Sequence, residues 1–288
     1  MGGWRSIAAE PVTPRGADNG AMPEGDTIAR TANVLRAALV DRRITDARAQ
    51  AQPGMRRVPD LSRLIGSTVT SVESRGKHLL IGFDGDLTLR THLRMTGSWH
   101  RYAPGERWHR PARAASVVLE TTSAVAVAFS TPVVELLTPG EMRRSMALGS
   151  LGPDLLAAEF DADEAVERLV ALGGEQLGNA LLDQRAVAGI GNVYKSEVPF
   201  VERLDPWSPV ADFSEEQLQG ALVTARRLLQ ANTRGGARVT TGSRGRGQGL
   251  YVYGRAGRPC RRCGTLIRSG RQGSLARLTF WCPRCQKR

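Results

Sequence analysis

All four cysteines of this 288-residue chain fall near its C-terminal end, as Cys260-x-x-Cys263 and Cys282-x-x-Cys285. Two such knuckles at this separation have the spacing of a closed tetrahedral tetrathiolate. With four sulfurs around the ion no coordination position stays open for a substrate, so the site is structural: one zinc ion that holds the local fold. Disulfide pairing is the alternative, and it belongs to secreted chains, whereas this one shows no signal-peptide apolar core. Thr265-Leu266-Ile267 and Leu278-Thr279-Phe280-Trp281 read as the two strands of a small hairpin finger between the knuckles.

The charge of the same region is one-sided. From Arg234 to Arg288 there are 13 arginines, one lysine and no acid, while the rest of the chain is close to neutral. Such a segment repels itself unless it meets a polyanion, and nucleic acid is the expected partner over a merely solvated tail. No apolar run is long enough to span a bilayer, so no membrane partner is expected. Lysine is scarce: Lys77, Lys195 and Lys287 stand against 37 arginines. Where arginine serves for ordinary positive charge, a retained lysine points to a group that must be able to lose its proton, and Lys77 is the first candidate.

Length suggests about two domains. Ile28, Ala32, Leu35 and Leu39 form one apolar stripe at helical spacing. The period then changes to two. Leu79, Ile81 and Phe83, the turn Asp84-Gly85-Asp86, and Leu87, Leu89, Thr91 and Leu93 predict a hairpin. Val117 and Leu119 with Val125, Val127 and Phe129 predict a second hairpin around Thr121-Thr122-Ser123. A helix followed by alternating strands predicts a β-sandwich with a helix attached. Beyond Gly152-Pro153 the helical signals return. Asp161 and Glu164 have capping-box spacing, Leu181, Leu182 and Val187 suggest a helix ended by Gly189-Ile190-Gly191, another starts near Val193, and Ser214 and Gln217 form a second capping box. Residues 234–249, rich in Gly, Arg and Thr, read as a linker or a loop that orders on a partner. The expected fold is α+β, with a β-sandwich domain over 22–149, a helical domain over 150–249 and the zinc finger over 250–288.

Met22-Pro23-Glu24-Gly25-Asp26-Thr27 looks like a chain start although residues 1–21 precede it. Inside a chain, Pro23 opens a helix and Glu24 suits its dipole. At a start, with the methionine removed, Pro23 presents a secondary amine. An α-amino group titrates at about 7.7–8.0, so much of it is unprotonated at neutral pH and able to attack a sugar aldehyde carbon. Residues 1–21, which carry no folded-element signal, are expected to be a disordered extension or a mis-assigned start.

Four stretches in this order carry a family resemblance: Met22-Pro23-Glu24-Gly25; Ser74-Arg75-Gly76-Lys77-His78-Leu79-Leu80; Leu182-Asp183-Gln184 through Ala188-Gly189-Ile190-Gly191-Asn192-Val193-Tyr194; and Arg277 through Cys285-Gln286. Together they resemble the formamidopyrimidine-DNA glycosylase/endonuclease VIII family of base-excision repair enzymes over 22–288. The resemblance implies a bifunctional DNA glycosylase and DNA-(apurinic or apyrimidinic site) lyase, monomeric, cytoplasmic and nucleoid-associated, acting on damaged double-stranded DNA. It implies Pro23 as nucleophile and Glu24 as the acid that helps open the sugar ring. It implies Lys77 as phosphate contact and proton donor in β-elimination, and Arg277 as the finger-tip residue of δ-elimination. The helical domain would then be the family's helix–two-turns–helix, with Asn192 starting a helix and binding a backbone phosphate. His92-Leu93-Arg94-Met95-Thr96-Gly97 is similar to the family's intercalation loop, with Met95 filling the gap left by the flipped base and Arg94 near the opposite strand. Met95 as core filler is the competing reading.

Within the family the start resembles the endonuclease VIII branch, which removes oxidised pyrimidines. The 8-oxoguanine branch usually carries Asp-Pro-Arg-Arg-Phe-Gly where this chain has Ser130-Thr131-Pro132-Val133-Val134-Glu135, and often a lysine where it has Gly178. Thr27 replaces a glutamate found in many relatives. The alternatives are the same chemistry on 8-oxoguanine and formamidopyrimidine lesions, or a damage-binding protein without catalysis if Pro23 is not N-terminal.

Overall fold

The computed structural model describes residues 23–245 and 247–287; the expected extension over 1–21 lies outside the described residues. The elements in order are α1 (Gly25–Leu39), β1 (Asp46–Ala49), β2 (Val69–Arg75), β3 (His78–Phe83), β4 (Thr88–His92), β5 (Ser98–Tyr102), β6 (Ala115–Glu120), β7 (Val125–Phe129), β8 (Val133–Leu137), α2 (Pro139–Arg144), α3 (Met146–Gly149), α4 (Ala162–Val170), α5 (Leu177–Ala180), α6 (Tyr194–Glu202), α7 (Glu215–Ala231), β9 (Arg268–Gln272) and β10 (Arg277–Trp281). The fold is α+β. None of the described helices is long and apolar enough to cross a membrane.

Two compact units emerge, and they do not follow chain order. Residues 30–74 and 78–143 form one; residues 23–29, 75–77 and 144–287 fall in the other. The first unit holds two four-stranded sheets, ordered β1-β6-β7-β5 and β2-β3-β4-β8. Both expected hairpins are present: β3 pairs antiparallel with β4, and β6 with β7. The indole of Trp99 on β5 donates to Thr91 Oγ1 on β4 at 3.1 Å, a hydrogen bond from one sheet to the other. The period-two alternation is lost on β7, where Val125 to Phe129 are all buried. Tyr102 and Trp108 pack with Val125, Val127 and Phe129, which buries that face of the strand as well. The apolar stripe of α1 is buried along its length, and Arg36 fastens the helix to β2 by donating to Val72 O.

In the second unit α4, α6 and α7 share an apolar core that includes Leu169, Tyr194, Val198, Leu222 and Leu229. Ser214 and Gln217 form the full reciprocal capping box at the start of α7. Asp161 forms only half of one: it accepts from Glu164 N, while the Glu164 carboxylate accepts from Arg168 instead. The helix expected through Leu181, Leu182 and Val187 is shorter and earlier. It spans Leu177–Ala180, and 181–187 continues as turns closed on Asn179, Ala180 and Asp183 carbonyls.

The 234–249 stretch is a pinned loop rather than a linker. Asn232 Nδ2 donates to Leu228 O and Val239 O, Val239 N donates to Asn232 Oδ1, and Thr240 N donates to Gly249 O at 2.7 Å. The finger hairpin is β9 with β10, so the first strand is Arg268–Gln272 and not Thr265–Ile267. That strand reads as a polar segment because only Gln272 of its five residues is buried.

Candidate active site and zinc site

Glu24 precedes α1 and is completely buried. Its carboxylate accepts from three backbone N–H groups of the turn into α6: Val193 at 2.7 Å, Gly191 at 2.9 Å and Tyr194 at 3.4 Å. The turn closes tightly on the Pro23–Gly25 segment. Gly25 N donates to Gly189 O at 2.9 Å, and a Cβ at 191 would overlap the Glu24 carboxyl carbon. Glycine is therefore required there by contact alone. Burial holds the Glu24 pKa above the ordinary carboxylate range, opposed by the charges of Arg238 and Lys77 and reinforced by Asp26. Pro23 adjoins it and is half-buried.

Lys77 sits in the turn between β2 and β3. Gly76 adopts φ +55° there, and its N–H donates to Asp154 Oδ2 at 2.6 Å. Burial pulls the Lys77 pKa down to about 8, Glu24 opposes, and Arg277 and Arg238 add to the depression. The residue singled out by lysine scarcity can thus shed its proton near neutral pH. Arg277 opens β10 opposite Gln272. Asn192 is buried, and its Oδ1 has no hydrogen-bond partner. It lies in the turn that leads into α6 (Tyr194–Glu202), where Lys195 N donates to Gly191 O and three N–H groups are occupied by Glu24.

Pro23, Glu24, Lys77, Asn192 and Arg277 all belong to the second unit, whereas Arg94 and Met95 belong to the first. In the turn after β4, Leu93 is buried and Met95 is 54% exposed, so Leu93 serves the core and Met95 does not. Arg94 takes φ +53° with its N–H donating to His92 Nδ1, and a Cβ at Gly97 would meet Leu93 Cα at 2.9 Å.

Four further groups at the site had no local signal in the sequence. Asp26 and Arg238 form a buried pair with Tyr194 beside Glu24. Glu197 on α6 is fully buried and accepts from Tyr251, Val252 and Tyr253 N–H groups and from the Thr240 hydroxyl. Arg238 is indistinguishable in sequence from its twelve neighbours in the basic run. The one available signal was that a segment without acids must find any carboxylate partner elsewhere in the chain.

The four cysteine sulfurs lie within 4.8 Å of one another, with Cys260–Cys285 at 3.9 Å and Cys263–Cys282 at 3.5 Å. Zinc–sulfur bonds of about 2.3 Å in a tetrahedron place sulfurs about 3.8 Å apart, so the four fit one structural zinc ion. Phe200, Val252, Ile267 and Phe280 pack with them into a small core.

The chain matches three family models: the formamidopyrimidine-DNA glycosylase N-terminal domain over 22–132, the formamidopyrimidine-DNA glycosylase H2TH domain over 151–243, and a zinc finger found in FPG and IleRS over 257–288. It is 46% identical over 270 residues to "Probable endonuclease 8 2" of Streptomyces coelicolor, covering 92% of this chain and 94% of that protein. It is 40% identical over 269 residues to the DNA-(apurinic or apyrimidinic site) lyase Nei2 of Mycolicibacterium smegmatis, covering 92% and 99%. Among solved structures, Lactococcus lactis formamidopyrimidine-DNA glycosylase bound to DNA containing an abasic site superposes with a TM-score of 0.77. That match covers 92% of this chain and 100% of the other at 23% identity, a likeness of fold.

Proposed function

Because the chain belongs to the formamidopyrimidine-DNA glycosylase/endonuclease VIII family, we propose that it is a bifunctional DNA glycosylase and abasic-site lyase of base excision repair. It acts as a monomer on damaged double-stranded DNA, removes oxidised pyrimidines and cleaves the strand by β,δ-elimination. The observation that carries this reading is Glu24. A fully buried carboxyl with a raised pKa stands next to Pro23 and is held by three N–H groups.

A free Pro23 amine forms its bond to C1′ of the damaged nucleotide. The C1′–O4′ bond breaks with its electron pair on O4′, which takes the proton that Glu24 carries. The C1′–base bond then breaks with its electron pair on the base, which takes the proton shed by the Pro23 nitrogen, and the nitrogen lone pair closes the C1′=N bond of the Schiff base from which the strand is cleaved. Lys77 donates in β-elimination, for which a lysine titrating at about 8 is suited. Arg277 and Asn192 hold phosphates, Arg277 serving the second elimination, and Met95 and Arg94 enter the space left by the extruded base. The zinc ion supplies no step; bound by Cys260, Cys263, Cys282 and Cys285, it holds the finger that carries Arg277.

This chemistry requires that the polypeptide start at Pro23 after removal of Met22, and the N-terminal family match, which opens at residue 22, supports that. The pyrimidine preference draws support from Gly178, since a Cβ there would meet Gln272 Cδ at 3.1 Å, leaving no room for the lysine of the other branch. Paired single-turnover assays on thymine-glycol and 8-oxoguanine duplexes test the preference. Faster excision of thymine glycol is expected. Faster excision of 8-oxoguanine would move the chain to the other branch, and tight abasic-site binding without cleavage would make it a binding protein.

A further inference from the structure

Arg238 is a basic residue that does not face outward. Its Nε donates to Asp26 Oδ2 and its NH2 to Asp26 Oδ1, both at 2.7 Å, and NH2 also reaches Thr27 Oγ1 at 3.1 Å. The Tyr194 hydroxyl donates to Asp26 Oδ2 at 2.9 Å, and the guanidinium lies over the Tyr194 ring, 5.2 Å from its centre. The side chains of Arg238 and Asp26 are 13% and 3% exposed. A guanidinium is planar, so fixing two of its nitrogens on one carboxylate fixes the direction of the third. That third nitrogen, NH1, stands 3.9 Å from Glu24 Oε1.

We propose that Arg238 is a positioning residue for base excision: anchored on Asp26, it turns its remaining guanidinium nitrogen toward Glu24 and governs the charge which that carboxyl carries. The inference rests on the reading of Glu24 as the acid of the reaction. Asp26 is the anchor because, against the penalty of burial, Arg238 and the Tyr194 hydroxyl hold its carboxyl below the usual range and so ionised. The groups facing Glu24 are Arg238 from the 232–250 loop, Lys77 from the β2–β3 turn, Asp26 from α1 and Tyr194 from α6. Burial makes Glu24 a weak acid, and the two cations restore part of its strength. When Glu24 gives its proton to O4′ and becomes a carboxylate, Arg238 is a cation at ion-pair distance, 3.9 Å from Oε1. The same pairing turns Arg238 inward although it lies in the basic run.

The test uses the zinc-loaded chain beginning at Pro23 and a 5-hydroxyuracil duplex. Single-turnover excision is followed against pH, alongside borohydride trapping on pre-formed abasic DNA, which supplies the Pro23 limb. In Arg238→Gln the limb belonging to Glu24 should move to higher pH by about one unit, while the rate at its maximum falls at least about tenfold. Arg238→Lys should return the limb toward its native position with the rate still reduced, because a single ammonium cannot hold Asp26 and face Glu24 together. Asp26→Asn combined with Arg238→Gln removes the pair without leaving a lone buried carboxylate. It should melt close to the native chain and still show the upward limb.

Loss of rate in all three variants with no movement of the limb would overturn the proposal and leave a structural ion pair. The slope of log affinity against log salt should be unchanged in Arg238→Gln. A slope shallower by about 0.9 would assign Arg238 to a DNA phosphate and overturn it equally. If the native Pro23 chain neither excises nor traps, it is the glycosylase reading that fails, whatever the variants do.

Discussion

At the scale of single residues the site depends on close contact and on charge removed from water. Gly191 shows the first. An alanine there would drive the Glu24 carboxyl off its three N–H donors, and general-acid catalysis contributes on the order of 10²–10⁴ in rate. Gly191→Ala should therefore lower base excision by roughly two orders of magnitude while zinc content is retained, as single-turnover kinetics with metal analysis would record. Lys195 shows the second. It is fully buried on α6, and its Nζ has a hydrogen bond of 3.5 Å to Gln272 Oε1. Burial and then Arg277 pull its pKa to about 8. Because the folded value lies below the unfolded one, the penalty is full below about pH 8 and disappears as pH rises toward the unfolded value. Stability should rise over that window, and Lys195→Met should stabilise at pH 7 by on the order of 1–3 kcal/mol. A lower melting temperature for that variant at pH 7 would contradict this. Pro23, Glu24 and Lys77 were singled out in the sequence by the family resemblance, Lys77 also by its rarity, and the structure buries Glu24 and lowers the Lys77 pKa. The Asp26–Arg238 pair was not legible there, since 211 residues separate the partners and nothing local distinguishes one arginine in a run of thirteen.

Elements were legible where period and capping agree, as in the apolar stripe of α1, the two hairpins and the capping box of α7. They were not legible where the stabilising contact is distant. The β9 strand is polar in sequence because its partner is β10 and its buried side chain, Gln272, bonds to Thr279, Gln176 and Pro206. The pinned loop before the finger is held by Glu197, one carboxylate that gathers three consecutive N–H groups and a hydroxyl from segments far along the chain. Glu197→Ala leaves those donors buried and unpaired, at about 1–3 kcal/mol for each. The thermal midpoint should drop by well over about 5 °C; a change smaller than that would show the donors have found water. Zinc has the corresponding role in the finger, whose core is a handful of residues around the four sulfurs. Chelation should therefore unfold 257–287 and abolish tight DNA binding while the helical circular dichroism of α4, α6 and α7 persists. Simultaneous loss of both signals would mean that the helical core depends on the metal.

For the whole molecule the consequence lies in how the compact units divide the chain. Residues 23–29 and 75–77 fold with 144–287, so Pro23, Glu24, Lys77 and Arg277, to which the proposed chemistry assigns its steps, are collected in one unit although the chain visits the sandwich between them. Sequence order suggested a catalytic sandwich followed by DNA-binding modules; contact groups the proposed site residues Pro23, Glu24 and Lys77 with the helices and the finger. The basic run is divided too: Arg238 pairs with a buried acid inside the chain, while Arg255, Arg261 and Arg262 donate to backbone carbonyls. The proposed chemistry depends on the Pro23 amine. Borohydride trapping on a 5-hydroxyuracil duplex, with a chain beginning at Pro23 beside the full 288-residue chain, measures it directly. A covalent protein–DNA adduct formed by the chain beginning at Pro23, and not by one in which Pro23 is an internal amide, is the expected result. No adduct from either chain, with zinc bound and DNA affinity intact, would contradict the account.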